Sequence, residues 1–371
     1  MKQTKRFFAL DVFRGMTIAL MILVNNPGSW SYVYAPFRHA HWHGCTPTDL
    51  VFPFFLFIVG VAMRFSFSKF DFQPSREIYS KIFWRTVTIF VIGFLLGTFP
   101  FIRQDWNWEN VRIMGVLQRI ALAYGISAIL VIRFSNKDLW KIIPVTLIAC
   151  WLLMWGLGGP DPWSLEGNLN RKIDMIILGT NHLWRGAGIP FDPEGLFSTI
   201  PSVISVLFGY MTGEMIQTAG EHQKNNLKKI SITGLIQIVL GLIWSIFMPI
   251  NKALWTSSYV LFTAGIANVV LVGLIWIIDI KGYKKVFQPF IIYGTNSIFV
   301  FVGSGLWGRT ILKIKYSLNG EMVSGYSYLY HTIFQPLAGN MNGSLLFALT
   351  HVLMWWLILY WLHRKKIFIK I

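Results

Sequence analysis

Three histidines at alternate positions, His39, His41 and His43, stand just ahead of Asp49 in the stretch HAHWHGCTPTD. An imidazole beside a carboxylate takes up a proton near neutrality, because its ordinary pKa is ~6.5. The same pairing can make the ring a nucleophile, so the chemistry in prospect is proton abstraction or covalent catalysis. Alternating histidines on an extended chain also share a face, which would suit nitrogen ligands to zinc. No further ligand stands nearby, and no metal is expected; His41 and His43 are read as interfacial histidines. The CTPTD segment has a second meaning. Thr46 can cap a helix, Pro47 fits its first position, and Asp49 sits where a capping-box acid belongs. A carboxylate can accept from backbone and imidazole together, so the two readings of Asp49 are compatible.

Other polar residues stand in or beside apolar runs. Asn25 ends the first run and can donate to a carbonyl that develops negative charge, or hydrogen-bond to another helix. Asp11 and Arg14 are spaced to share a helix face. They form an ion pair, or they leave the Arg14 fork for phosphate oxygens. Gln118 and Arg119 fall inside the fourth run, with Arg112 at its edge. An arginine at mid-membrane costs ~2.5–3.5 kcal/mol and normally faces a polar cavity or a partner. Gln118 and Arg119 are therefore assigned to a cavity wall, or Arg119 to a structural pair with Asp11 or Asp49. Asp192 and Glu194 precede the sixth run, where carboxylates at a helix N-terminus act as caps. Lys252 and Trp255 share a short loop, where tryptophan anchors at the membrane interface. Asn296, within the ninth run, suggests interhelical hydrogen bonding. His182, His331 and His351 show no partner pattern.

These residues need a frame, and composition supplies it. The chain has 371 residues, 54% hydrophobic and only 13% charged, well below the charge of a soluble domain. Ten apolar runs reach or approach the ~20 residues of a bilayer span: 8–27, 48–67, 82–101, 113–132, 140–158, 198–219, 230–248, 257–279, 287–307 and 343–362. The fold class expected is an all-α polytopic membrane protein, one domain over 1–371, with Pro53 bending the second span. The net charge of +17 does not indicate nucleic acid, because the basic residues cluster in short segments between runs. If the N-terminus is cytoplasmic, the inside segments carry about twice as many Lys and Arg as the outside loops, the bias that sets orientation. Both termini are then cytoplasmic, and the His39 stretch and the segments 159–197 and 308–342 lie outside. No cleavable signal peptide is expected, since Asp11 and Arg14 interrupt the first run and no small-residue cleavage site follows. Cys45 and Cys150 show no disulfide, zinc or redox spacing.

An ordered set of motifs adds to this reading: LDVFRG at 10–15, VNN at 24–26, HAHWHGCTPTDLVFPFFLFIVG at 39–60, RIMGVLQRIAL at 112–122, DPEGLFSTIPS at 192–202, NKALWTSSYVLFTAG at 251–265 and the tail RKKIFIKI. Together they resemble the transmembrane acetyltransferases typified by lysosomal heparan-α-glucosaminide N-acetyltransferase, and especially its bacterial relatives. The resemblance implies transfer of acetyl from cytosolic acetyl-CoA, a cosubstrate, to a glucosamine amino group across the membrane. It implies that His39 is catalytic, with Asn25 and Asp49 matching the family's asparagine and acid. Arg14, Gln118 and Arg119 then serve acetyl-CoA, while Asp192, Glu194, Lys252 and Trp255 face an amino-sugar or glycan acceptor. A homodimer among membrane lipids, in a bacterial inner membrane, is the implied setting. The lysosomal enzyme has an extra N-terminal luminal region, and its Asn-to-His segment is shorter than 25–39 here.

Two other functions compete with acetyl transfer. A transporter for N-acetylglucosamine or a related sugar accounts for polar groups within spans, but paired broken helices and internal repeats are not evident. A membrane scaffold leaves the His–Asp pair unexplained. His39 as base for direct transfer and His39 as acetyl carrier both remain open at the level of sequence.

Overall fold

The computed structural model describes residues 7–100, 107–218 and 223–369. Among these, nine helices are long and apolar enough to cross a membrane, and a bent pair makes a tenth span. The spanning helices are α1 (Phe8–Asn25), α2 (Val51–Phe67), α3 (Arg76–Thr98), α4 (Val116–Arg133) and α5 (Asn136–Leu157). After a short helix α6 (Leu169–Ile177) come α7 (Leu196–Gln217), α8 (Gln223–Trp244) and α9 (Ser257–Leu274). The bent pair is α10 (Gln288–Thr295) and α11 (Ser297–Lys313); a hairpin of β1 (Lys315–Leu318) and β2 (Glu321–Ser324) leads to α12 (Gly325–Leu329) and α13 (Gln335–Arg364).

α7 is the central helix, with 89% of its spanning window buried. Small residues let it approach α2. A β-carbon on Gly60 would lie 1.9 Å from the Val206 carbonyl oxygen, and one on Gly209 would lie 1.9 Å from that of Phe57. Such reciprocal contacts stand in for the hydrophobic effect, which does not drive helices together in lipid. α1 and α10 meet the same way, through Gly15 and Gly294.

The helices alternate in direction. The Ala9 amide donates to the carboxylate of Asp279, just beyond α9, at 3.1 Å. Arg64, near the end of α2, donates to Gln217 at the end of α7 (2.8 Å). Phe7 and the tail at Ile369 therefore share one end of the bundle, and His39, Asn110, Asp192 and Lys252 occupy the other.

The structure departs from the sequence expectation in three places. The ninth is not continuous but bends by 81°. Asn296 at the break is non-helical, and its amide is held by the tail: it donates to Ile367 O (3.1 Å) and accepts from Ile369 N (2.7 Å). The last helical segment begins earlier than residue 343, at Gly325, and kinks at Gly339, whose φ of +75° no L side chain adopts easily. The segment 159–197 contains α6, whose Leu169 and Asp174 are buried while Ile176 and Ile177 are exposed.

Candidate active site

The helix start at Thr46 is built as a capping box. The Thr46 amide donates to Asp49 Oδ2 (3.0 Å), and the Asp49 amide donates to the Thr46 carbonyl (2.9 Å). The same Oδ2 accepts from the Ala40 amide (2.9 Å). Oδ1 is left for His39, whose Nδ1 lies 2.6 Å away. One carboxylate thus caps α2 and holds an imidazole. The Asp49 side chain is 2% exposed and that of His39 48%, so the acid is fixed and the ring is reachable. With Nδ1–H donated to Asp49, the lone pair is on Nε2, the tautomer a base or nucleophile requires.

Lys252 completes the cluster, with Nζ 3.4 Å from Asp49 Oδ1 and 3.2 Å from His39 Nδ1. Its loop is tied down: Asn251 Oδ1 accepts from Leu254 N (2.8 Å), and the Gly44 amide donates to Ile250 O (2.7 Å). Burial pulls the Lys252 ammonium below the usual lysine range, against the opposing pull of Asp49. Burial likewise pushes the Cys45 thiol up to about 12, leaving it protonated and poorly reactive.

A cavity of about 230 Å³ opens beside this cluster. It is lined by Asn25, His39, Glu194 and Lys252 at its polar end, and by apolar side chains of α1, α2, α4 and α11 below. Thr17 is its deepest contact on α1, about 12 Å along the helix axis from Asn25. Among the described residues the Asn25 amide has no hydrogen-bond partner, so it stays available to a ligand.

Of the ten residues singled out from the sequence, the cavity gathers four, with Asp49 directly behind His39. The others lie elsewhere. Arg14 sits one turn below Thr17, with Nη1 3.5 Å from Asp11 Oδ1 and donating to Gly294 O (3.3 Å). Gln118 turns away, donates to Ile113 O (3.0 Å) and packs on Gly93. Arg119 is fully buried; it donates to Ser198 Oγ and Gly195 O at the start of α7 and lies 5.0 Å above the Trp255 ring. Trp255 is itself 0% exposed. Its indole N–H donates to Ser205 Oγ (3.2 Å) and its ring meets Phe52 edge-on at 5.0 Å. It packs behind the cavity-lining Phe52 and is not at the surface for a sugar to stack on.

Asp192 is closed off by Arg112, whose Nε and Nη2 donate to its two oxygens at 2.8 Å each. Nη2 also reaches Glu194 Oε2 at 2.6 Å. Asp192 is thus a buried partner of Arg112, while Glu194 both joins that network and touches the cavity. Among the described residues no three metal-ligating side chains converge. His43 instead sits 3.4 Å from the Asn251 amide.

Two residues escape the sequence reading. Tyr259 donates to the Asp49 carbonyl (2.6 Å) and fixes the capping turn from below. It stands within the NKALWTSSYV motif, which signals the region but not the contact. Asp174 accepts from the Leu196 amide at 2.8 Å and so caps α7. Burial pushes its carboxyl up to about 7. Its position in a loop-borne helix gives no sequence signal.

The geometry can now be set beside known proteins. Residues 6–249 match the family model described as heparan-alpha-glucosaminide N-acetyltransferase, catalytic. The heparan-alpha-glucosaminide N-acetyltransferases of Mus musculus and Homo sapiens are each 29% identical, over 419 and 420 aligned positions that cover 99% of this chain. The chain spans 60% of the length of these two relatives. The family match runs through α1 to α8, taking in Asn25, His39, Asp49 and Glu194, and the chain belongs to the heparan-alpha-glucosaminide N-acetyltransferase catalytic family.

Proposed function

We propose that this chain is a membrane-bound N-acetyltransferase, acting as one domain, that moves acetyl from cytosolic acetyl-CoA to the amino group of a glucosamine-type sugar on the opposite face. The observation that carries the reading is the His39–Asp49 pair at the mouth of an apolar cavity that descends along α1 toward the other end of the bundle. Acetyl-CoA is a polyanion and does not cross hydrocarbon unaided, so its thioester must be threaded through the protein. The apolar walls of α1, α2, α4 and α11 suit an uncharged thioester arm, and Arg14, one turn beyond Thr17, suits the phosphates.

The proposed steps follow from the groups at the polar end. Glu194 and the polar rim receive the sugar ammonium, which gives up one proton to solvent before it attacks. The amine nitrogen then bonds to the thioester carbonyl carbon as the carbon–sulfur bond breaks. The second proton lost by nitrogen passes through His39 Nε2 to the departing thiolate. Asp49 stabilises the imidazolium in transit, and the Asn25 amide donates to the carbonyl oxygen as charge gathers there. The product is an N-acetyl sugar and the CoA thiol.

The test is purified protein with labelled acetyl-CoA and glucosamine. Label should appear in N-acetylglucosamine and vanish with His39→Ala. Transfer that survives this substitution sinks the role of His39. Flux of N-acetylglucosamine into proteoliposomes without CoA would instead support the transporter. Label trapped on wild-type protein in the absence of sugar would replace the base by an acetyl-imidazole carrier.

A further inference from the structure

A second cavity lies far from His39, at the lysine-rich end of the bundle. It holds about 430 Å³ between α8 and α9. Lys224, Leu227, Lys228 and Ser231 line one wall, a single stripe of α8 at helical spacing. Val269, Val272, Gly273, Trp276 and Ile280 line the other. The two walls differ in kind along their length. The lysines stand at the rim, and the valines and Gly273 stand deeper in the spanning region. Nothing lies within 4 Å of where a Gly273 β-carbon would be, so the wall is open there. Trp276 is 51% exposed, with the Lys281 ammonium 5.2 Å from its ring centre. Among the described residues neither Lys224 nor Lys228 has an acidic partner, whereas Arg64 at the same end is paired to Glu214 and Gln217.

The geometry points to a binding site for an anionic phospholipid, its phosphate between Lys224 and Lys228 and one acyl chain along Val269, Val272 and Gly273. The charge and the depth argue for a lipid together. A soluble anion would use the lysines and leave the apolar wall empty. A zwitterionic lipid would use the wall and gain little from two unpaired ammonium groups. Cationic rims above apolar grooves between spanning helices are where acidic headgroups bind, and a tryptophan at that depth anchors at the headgroup level.

The experiment uses the full chain in detergent, with phosphatidylglycerol and phosphatidylcholine titrated separately and adducts read by native mass spectrometry. Phosphatidylglycerol should bind the wild type with clear preference. Lys224→Gln/Lys228→Gln should weaken it about thirty-fold, roughly a factor of five per lysine, and leave phosphatidylcholine unchanged. Gly273→Leu should weaken both lipids by filling the acyl wall while keeping the charge. Equal affinity for the two lipids, or no response to either variant, overturns the site. Displacement of phosphatidylglycerol by inorganic phosphate or by CoA overturns it too, since the pocket would then take a soluble anion.

Discussion

His39 and Arg112 each hold a buried carboxylate at the same end of the bundle, yet the two clusters are finished differently. Around Arg112 the accounts are closed: the guanidinium fork spans Asp192 and reaches Glu194 at 2.6–2.8 Å, and Asp192 is fully buried. Around His39 one side is left open. Asp49 is buried and saturated, but the ring it holds is about half exposed and lines a cavity. Asp192, held at both oxygens, fixes the backbone and has no valence to offer a substrate, whereas Glu194 keeps an edge on the cavity. A pair in which only the supporting member is saturated presents a reactive atom from a rigid mount, which is what preorganised catalysis requires. Residue type alone does not separate the two, because both consist of an acid and a cationic or basic partner.

That contrast can be broken most sharply at His39. His39→Ala should remove acetyl transfer by at least about a thousand-fold, within the range for a positioned proton-transfer group, while the melting temperature in detergent stays close to wild type. A large loss of stability would place His39 with Arg112 as structural. Asp49→Asn should cost about 10²–10³-fold in kcat, because an amide can hold the wrong tautomer. It should also weaken the start of α2 by about 1 kcal/mol, since one cap bond is lost. Asn25→Ala should lower kcat by about 10²-fold with KM for the sugar nearly unchanged. A rise in KM alone would move Asn25 to acceptor binding.

Arg112→Met should do the reverse of His39→Ala. It leaves two carboxylates unpaired and should destabilise the fold by about 3 kcal/mol, while the protein that remains folded keeps its kcat and changes only in KM for the sugar, through Glu194. The smallest expected effect concerns pH. Burial raises the Asp174 carboxyl to about 7 in the folded chain, above its ordinary value of ~3.9 when unfolded. A raised folded pKa gives stability that is fully present below the unfolded value and is lost as pH climbs through about 7. Melting temperature should therefore fall between about pH 4 and pH 7 by this route and level off above, and Asp174→Asn should flatten that slope. An unchanged slope would mean that the carboxyl does not hold its proton.

The legible part of the site was the part encoded locally. Thr46, Pro47 and Asp49 lie within one turn, so a capping box can be read from spacing, and His39 is close enough in sequence to share Asp49. The misread part depends on contacts between distant segments. Trp255 belongs to a loop in sequence, but a left-handed backbone conformation (φ +52°) and the packing of Phe52, Ser205 and Arg119 turn it inward. Gln118 and Arg119 were correctly placed within a span, but helical phase puts Val116, Leu117 and Ile120 on the cavity and these two on its far side. The break at Asn296 depends on a tail more than seventy residues away.

By itself the sequence determined the membrane class, the number and approximate limits of the apolar runs, and the capped helix start that carries Asp49, because hydrophobic length and capping are properties of neighbouring residues. Only the tertiary structure decided which polar groups meet. It brought Lys252 to the His39–Asp49 pair across more than two hundred residues, closed Arg112 on Asp192, and bent α10 from α11. Those outcomes depend on helix phase and on glycine-mediated approach, which no local pattern specifies.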